Sequence, residues 1–163
     1  MRKLCITFLS IAFLASCANQ TNNETIPSAD DTAIFNQHIE NWKTAINGFS
    51  TEDPEKVMSV FADSLKWNNP EALMNINKTK LDLTAAVNFY IGTFDNIKFT
   101  DDVYYGGSLD SSEHTEASPD GMRVYGNWSF TDPVSAAKVA YKWMGIVRFN
   151  SDGKIYEFAD WFD

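Results

Sequence analysis

From Thr32 to Phe49 the apolar side chains fall at Ile34, Phe35, Ile39, Trp42, Ala45, Ile46 and Phe49. That three-and-four spacing gathers them on one face of a helix, so the segment is read as a helix with an inward stripe. Asp53-Pro54-Glu55 then supplies an N-cap, a proline at the first helical position and an acid at the positive end of the helix dipole. Val57, Met58, Phe61 and Leu65 continue the stripe. A second helix is therefore predicted to about Ala62, followed by a short strand over 64–69 that Asn69-Pro70 closes. Leu83, Val87, Tyr90, Ile91 and Phe94 make a third helical stripe, entered through Asp82 or Thr84 as cap.

Beyond Asn96 the period shortens from 3.6 to 2. Ile97, Phe99, Val103 and Tyr105 mark an interrupted strand, and Val124, Trp128 and Phe130 lie at even spacing. Val139, Tyr141, Trp143, Val147 and Phe149 alternate with Lys138, Lys142 and Arg148. Asn150-Ser151-Asp152-Gly153 reads as a turn, and Ile155 to Trp161 as the last strand. Residues 106–120 form an acidic loop between strands. About three helices followed by a meander of strands argue an α+β domain with its helices on one face of an antiparallel sheet.

Composition places this domain without naming its task. The chain has 163 residues, 44% hydrophobic and 14% aromatic, which fits one ordinary globular domain rather than a disordered or fibrous chain. Its 13 basic and 22 acidic residues give a net charge of −9. Nucleic acid is therefore excluded as a partner, because neutralising phosphates needs a basic patch.

The N-terminus carries an address. Met1-Arg2-Lys3 is positive, and Leu4 to Ala15 is an apolar run shorter than the roughly 20 residues that cross a bilayer as a helix, the pattern of a cleavable export signal. It ends in Leu14-Ala15-Ser16-Cys17, which resembles the bacterial lipobox, whose cysteine is lipidated on sulfur and becomes the new N-terminus. Residues 1–16 are thus expected to be a lipoprotein signal peptide, 17–31 the lipidated Cys17 with a polar tether, and 32–163 the folded domain. Cys5 leaves with the signal, so no thiol remains for a disulfide or a cysteine metal site. Losing Arg2 and Lys3 would take the net charge from −9 to −11, so acyl chains rather than surface charge would hold the protein to the bacterial envelope. Ala18 after the cysteine is similar to lipoproteins sent to the outer membrane when the cell is Gram-negative.

Phe61-Ala62-Asp63 leading through Lys66-Trp67-Asn68-Asn69-Pro70, the helix entry Thr84-Ala85-Ala86-Val87, and the closing Val147-Arg148-Phe149-Asn150-Ser151-Asp152-Gly153-Lys154-Ile155 resemble the nuclear-transport-factor-2-like superfamily over residues 32–163. The resemblance implies a cone-shaped, cystatin-like α+β fold with a curved sheet around a central cavity. Two branches of the superfamily give site expectations. In ketosteroid isomerases a general-base Asp stands before the proline, where this chain has Asn69, and an amide cannot take a proton from carbon. The oxyanion-donating tyrosine of the first helix corresponds to Trp42, and the neutral carboxylic acid of the penultimate strand falls at Gly145–Ile146, where none exists. Steroid isomerisation is thereby rejected. SnoaL-like polyketide cyclases are similar at the end of the chain, in Gly153-Lys154-Ile155-Tyr156-Glu157 and Asp160, although their His-Trp pair before that Asp is Phe158-Ala159 here.

Asp160 is the carboxylate that matches a catalytic position in this resemblance. Alternation places it on one strand face with Tyr156, Phe158 and Phe162; if that face lines a pocket, desolvation would raise its pKa and let it act as acid or base. A solvated carboxylate near the chain end is the alternative. His38, a turn before Trp42, is expected either to look into the mouth of the cone or to be an ordinary helix-face histidine. His114 lies between Glu113 and Glu116, without the second spaced ligand that a metal site needs. Hydrolase and phosphate-binding motifs are absent from the sequence.

Trp42, Trp67, Trp128 and Trp143, with Tyr90, Tyr141 and Phe158, come from elements that surround the cavity in the resembled fold. Together with polar points at Asn69, His38 and Asp160 they would make an apolar pocket for a small apolar or aromatic molecule. No cofactor and no metal are expected. The leading expectation is a membrane-anchored lipoprotein that binds such a molecule. The alternatives are a SnoaL-like enzyme using Asp160, with His38, for proton transfer, and a protein-interaction module. Met144 and Ile146 would lie on the outward sheet face, a common dimer surface in the superfamily, so a homodimer is a further expectation.

Overall fold

The computed structural model describes residues 28–68, 78–107 and 119–163. Helix α1 spans Ala29–Ser50 and starts three residues ahead of the expected Thr32. Ser28 and Asp31 form a reciprocal capping box that satisfies two otherwise orphaned amides. His38, Trp42, Ala45 and Gly48 recur along its buried face. Asp53 caps the short helix α2, Pro54–Met58, by accepting from the Lys56 amide at 2.9 Å. This second helix stops four residues short of Ala62. Val60 and Phe61 are claimed instead by the sheet: the Val60 carbonyl accepts from the Ile155 amide, and strand β1, Phe61–Asn68, pairs Phe61 with Ile155.

Helix α3, Lys80–Thr93, is capped by Thr79, with Asp82 as the third helical residue reaching back to the Thr79 amide at 2.7 Å. The expected cap at Asp82 or Thr84 is thus corrected, because Thr79 offers the capping box its hydroxyl. Lys80 fastens the helix to β1 through the Phe61 carbonyl, at 2.9 Å, and the Asp63 carboxylate, at 2.8 Å. Strands β2, Asp95–Gly106, β3, Gly121–Thr131, β4, Lys138–Phe149, and β5, Ile155–Phe162, complete the sheet. The interruption expected in β2 is real. Asn96 and Asp101 have positive φ, and the β2–β3 register shifts beside each of them.

The strand order is β1-β5-β4-β3-β2. Three of the neighbouring pairs are antiparallel, but β1 runs parallel to β5, which corrects the all-antiparallel expectation. The first strand is separated from its neighbour by most of the chain, so no hairpin constrains its direction. In the β4–β5 turn, Asn150 Oδ1 accepts from the amides of Asp152 and Lys154, Gly153 takes a φ of 70°, and Asn41 of α1 donates to the Gly153 carbonyl at 3.0 Å.

The core lies between the helices and the inner sheet face. It is built on Trp42, Val57, Leu65, Val87, Met122, Val124, Val147, Ile155 and Phe158 among others. Along β4, Trp143, Gly145, Val147 and Phe149 bury, while Met144 and Ile146 alternate outward as expected. A register shift opposite Arg148 and Phe149 resets the alternation of β5. Ile155 and Phe158 therefore both bury. Cys17, Asn69 and His114, together with most of the acidic loop, lie outside the described residues.

Candidate functional site

A cavity of about 440 Å³ opens between the helices and the sheet, within the ordinary range for small-molecule sites. Every described aromatic expected there lines it: Trp42 from α1, Trp67 from β1, Tyr90 from α3, Trp128 from β3, Tyr141 and Trp143 from β4, and Phe158 from β5. Asp160 lines it as well. Sequence reasoning did not single out Ile46, Phe49, Leu83, Ala86 and Phe130, which extend the walls, nor Lys78 and Asp82 near the start of α3. Tyr156, expected on the face of Asp160, is not among the lining residues, because the β5 register shift falls between Ile155 and Glu157, at Tyr156 itself.

The rings pack as a mixture of near-parallel, tilted and edge-on pairs rather than as one solid stack. Trp42 lies nearly parallel to Trp143 at 5.5 Å between centroids, Trp128 meets Trp143 edge-on at 6.5 Å, and Trp67 lies parallel to Phe158 at 6.5 Å. Such offset and perpendicular pairs are the favoured aromatic geometries.

Asp160 is gripped from both sides. Trp67 Nε1 donates to its Oδ1 at 3.0 Å, and Trp143 Nε1 donates to its Oδ2 at 3.2 Å. Register explains the second contact. Asp160 sits directly opposite Gly145, two residues beyond Trp143 on the same strand face. A Cβ at Gly145 would stand 2.2 Å from the far edge of the Trp143 ring, so the missing side chain is what lets the indole lie flat along β4 and reach the carboxylate. Gly126 serves Phe99 in the same way, an added Cβ meeting that ring at 2.3 Å. Phe99 in turn backs Trp128 and Trp143.

Asp82 and Lys78 are already engaged. Asp82 is committed to the cap of α3, where the Thr79 amide and hydroxyl hold its carboxyl below the usual range. Lys78 exchanges backbone hydrogen bonds with Trp67 and carries its ammonium 5.0 Å from that ring's centroid, a cation–π contact. Burial pushes the Tyr141 phenol well above the ordinary tyrosine range, and Tyr90 and the Asp160 carboxylate add to that. Tyr141 is therefore a neutral hydroxyl throughout the physiological range. Trp42 Nε1 is buried without a hydrogen-bond partner.

His38 lines a different hollow. Its ring stacks on Phe149 at 3.7 Å and 3°, and it borders a concavity of about 640 Å³ with Asn41, Asp120 and the 150–154 turn. Burial lowers its pKa, and Asp120 works against that shift. The expectation that His38 looks into the cone alongside Asp160 is thus corrected: one helical turn separates His38 from Trp42, and that turn carries it out of the aromatic cavity. Among the described residues, no group of His, Cys, Asp and Glu is arranged to hold a metal ion, and no helix is long and apolar enough to cross a membrane.

No family model and no curated protein matches the chain. Solved structures do. A provisionally assigned isomerase from Bacillus subtilis aligns with a TM-score of 0.62 at 13% identity, covering 80% of this chain and 88% of its own. A provisionally assigned polyketide cyclase from Xanthomonas campestris pv. campestris aligns with a TM-score of 0.61 at 6% identity, over 80% of this chain and 93% of its own. A protein of ketosteroid isomerase-like fold from Catenulispora acidiphila, solved in complex with trimethylamine, gives 0.57 at 10% identity, over 77% and 84%. At such identities the likeness speaks to architecture, and one architecture hosts many chemistries. With its helices packed on a bent mixed sheet around an aromatic cavity, the chain has the nuclear-transport-factor-2-like fold.

Proposed function

We propose that this domain binds a small, largely apolar or aromatic organic molecule in the cavity between α1, α3 and the sheet. The observation that carries the reading is a volume of about 440 Å³ walled by tryptophan, tyrosine and phenylalanine, with the Asp160 carboxylate, held by two indole N–H groups, in its lining. Apolar walls with a few fixed polar points are the usual chemistry of such sites. Space left between the rings favours this reading over a purely protein-binding module, in which the tryptophans would fill the cavity themselves. The complex of the Catenulispora acidiphila neighbour with trimethylamine supports small-molecule binding on this fold.

A second reading, proton transfer on a bound carbonyl compound by Asp160, is favoured by the position of that carboxylate in the cavity. Two observations weigh against it. Both oxygens already accept from indole N–H groups, and His38 borders the other hollow. The lipobox residues extend the proposal to display at the bacterial envelope through a lipid on Cys17, with outward-facing Met144 and Ile146 available to a second copy.

Native mass spectrometry of the protein purified gently from its own host tests the binding reading. A discrete additional mass that Trp143→Ala abolishes is the expected result; an apo mass alone, with no aromatic probe able to bind afterwards, overturns it. Detergent partitioning tests the anchor: Cys17→Ala should leave the protein in the aqueous phase, and continued partitioning into detergent would refute lipidation.

A further inference from the structure

We infer that the molecule held in this cavity is an organic cation, a protonated amine or quaternary ammonium on an apolar or aromatic body. The inference rests on the reading of the cavity as a ligand site and narrows it. Among the described lining residues the ionised side chains are Asp160, Asp82 and Lys78, two negative and one positive. The chain as a whole carries −9. Asp82 is bound into the α3 cap, and the Lys78 ammonium rests on Trp67.

Two of the groups that hold Asp160, the indoles of Trp67 and Trp143, are neutral. Trp67 and Trp143 orient the carboxylate through their N–H edges but leave its charge in place. An aromatic ring is positive at its edge and negative over its faces. Rings that turn an N–H edge to a carboxylate therefore orient it without opposing the preference of neighbouring faces for positive charge. Around Asp160 the cavity continues in Trp128, Tyr141 and Tyr90, whose faces attract ammonium groups. Lys78 on Trp67 is an intramolecular instance of that attraction. A carboxylate and π faces in one partly desolvated space both favour a cation, and both disfavour an anion. Fatty acids and other organic carboxylates of similar size are accordingly the wrong ligands.

The test uses three probes of nearly equal shape and opposite charge, titrated into the full-length protein and followed by tryptophan fluorescence: benzyltrimethylammonium, its neutral carbon isostere 2,2-dimethylpropylbenzene, and the anion phenylmethanesulfonate. The cation is expected to bind about tenfold tighter than the neutral isostere, and the anion weakest of all. In Asp160→Asn the cation's advantage should shrink to within about threefold, while Lys78→Gln should enlarge it by removing a competing ammonium. Binding of the isostere or the anion as tightly as the cation by the wild-type protein overturns the inference and leaves the small-molecule reading standing. If none of the three binds, the cavity reading itself fails and the inference with it. The wild-type comparison decides the matter even if Asp160→Asn does not fold.

Discussion

Two hollows border helix α1, and the larger is the poorer candidate site. The hollow beside His38, about 640 Å³, is rimmed by polar side chains that serve the scaffold: Asn41 holds the Gly153 carbonyl, Asn150 closes its own turn, and Lys154 donates to the Ser59 carbonyl. The aromatic cavity, about 440 Å³, instead brings a carboxylate oriented by two indoles into an apolar space. The difference teaches that volume and polarity do not mark a site. What marks it is polar groups held in place by neighbours while the space around them stays apolar, since such groups gain most from a ligand.

The contrast can be broken most forcefully at Trp143. Trp143→Ala removes a buried ring and one donor to Asp160, and should cost about 3–5 kcal/mol, read as a fall in melting temperature, and abolish probe binding. A loss below about 1 kcal/mol would mean that the ring is not packed as described. Gly145→Ala is subtler. The added methyl would displace the indole that lies 2.2 Å from it and should cost about 1–3 kcal/mol, with the Trp143 indole proton shifting as it leaves the carboxylate. An unmoved indole resonance would contradict the proposed role of the glycine.

Changes in the other hollow should be milder and leave binding alone. Asn41→Ala deletes the bond to the Gly153 carbonyl and is expected to cost about 1 kcal/mol with probe affinity unchanged; lost affinity would give the second hollow a share in the site. His38 contributes the smallest effect. Its folded pKa lies below the ordinary 6.5, so on acidification the unfolded chain takes up the proton first. The stability contribution is complete above about 6.5 and is lost as pH falls toward the lower folded value. His38→Phe should flatten that part of the stability profile, and denaturant unfolding between pH 5 and 7 would detect an unchanged slope.

How much of this was legible in the sequence differs by residue. The aromatic lining was, because helical spacing in α1 and strict alternation in β4 place Trp42, Tyr141 and Trp143 inward whatever the rest of the chain does. The contact that organises the site was not. It depends on Asp160 falling opposite Gly145, and pairing register between strands is not written in either strand alone. Only the glycine two places after Trp143 hinted that a ring lies across it. The end of α2 was misplaced because Phe61 fits a helical stripe as well as a strand, and its capture by Ile155 joins residues far apart in sequence. For His38 the sequence leaves two readings open, the mouth of the cone and an ordinary helix-face histidine, and one turn along α1, which leads from one hollow to the other, separates them.

The most direct test of the central claim is a two-dimensional ¹⁵N–¹H spectrum of the protein recorded while benzyltrimethylammonium is added, with the tryptophan indole signals assigned. The account predicts that the indoles of Trp67, Trp128 and Trp143 shift and saturate together, while the half-exposed Trp161 and the amides of the 150–154 turn stay in place. Shifts confined to that turn and the His38 ring, with the cavity indoles unmoved, would contradict it.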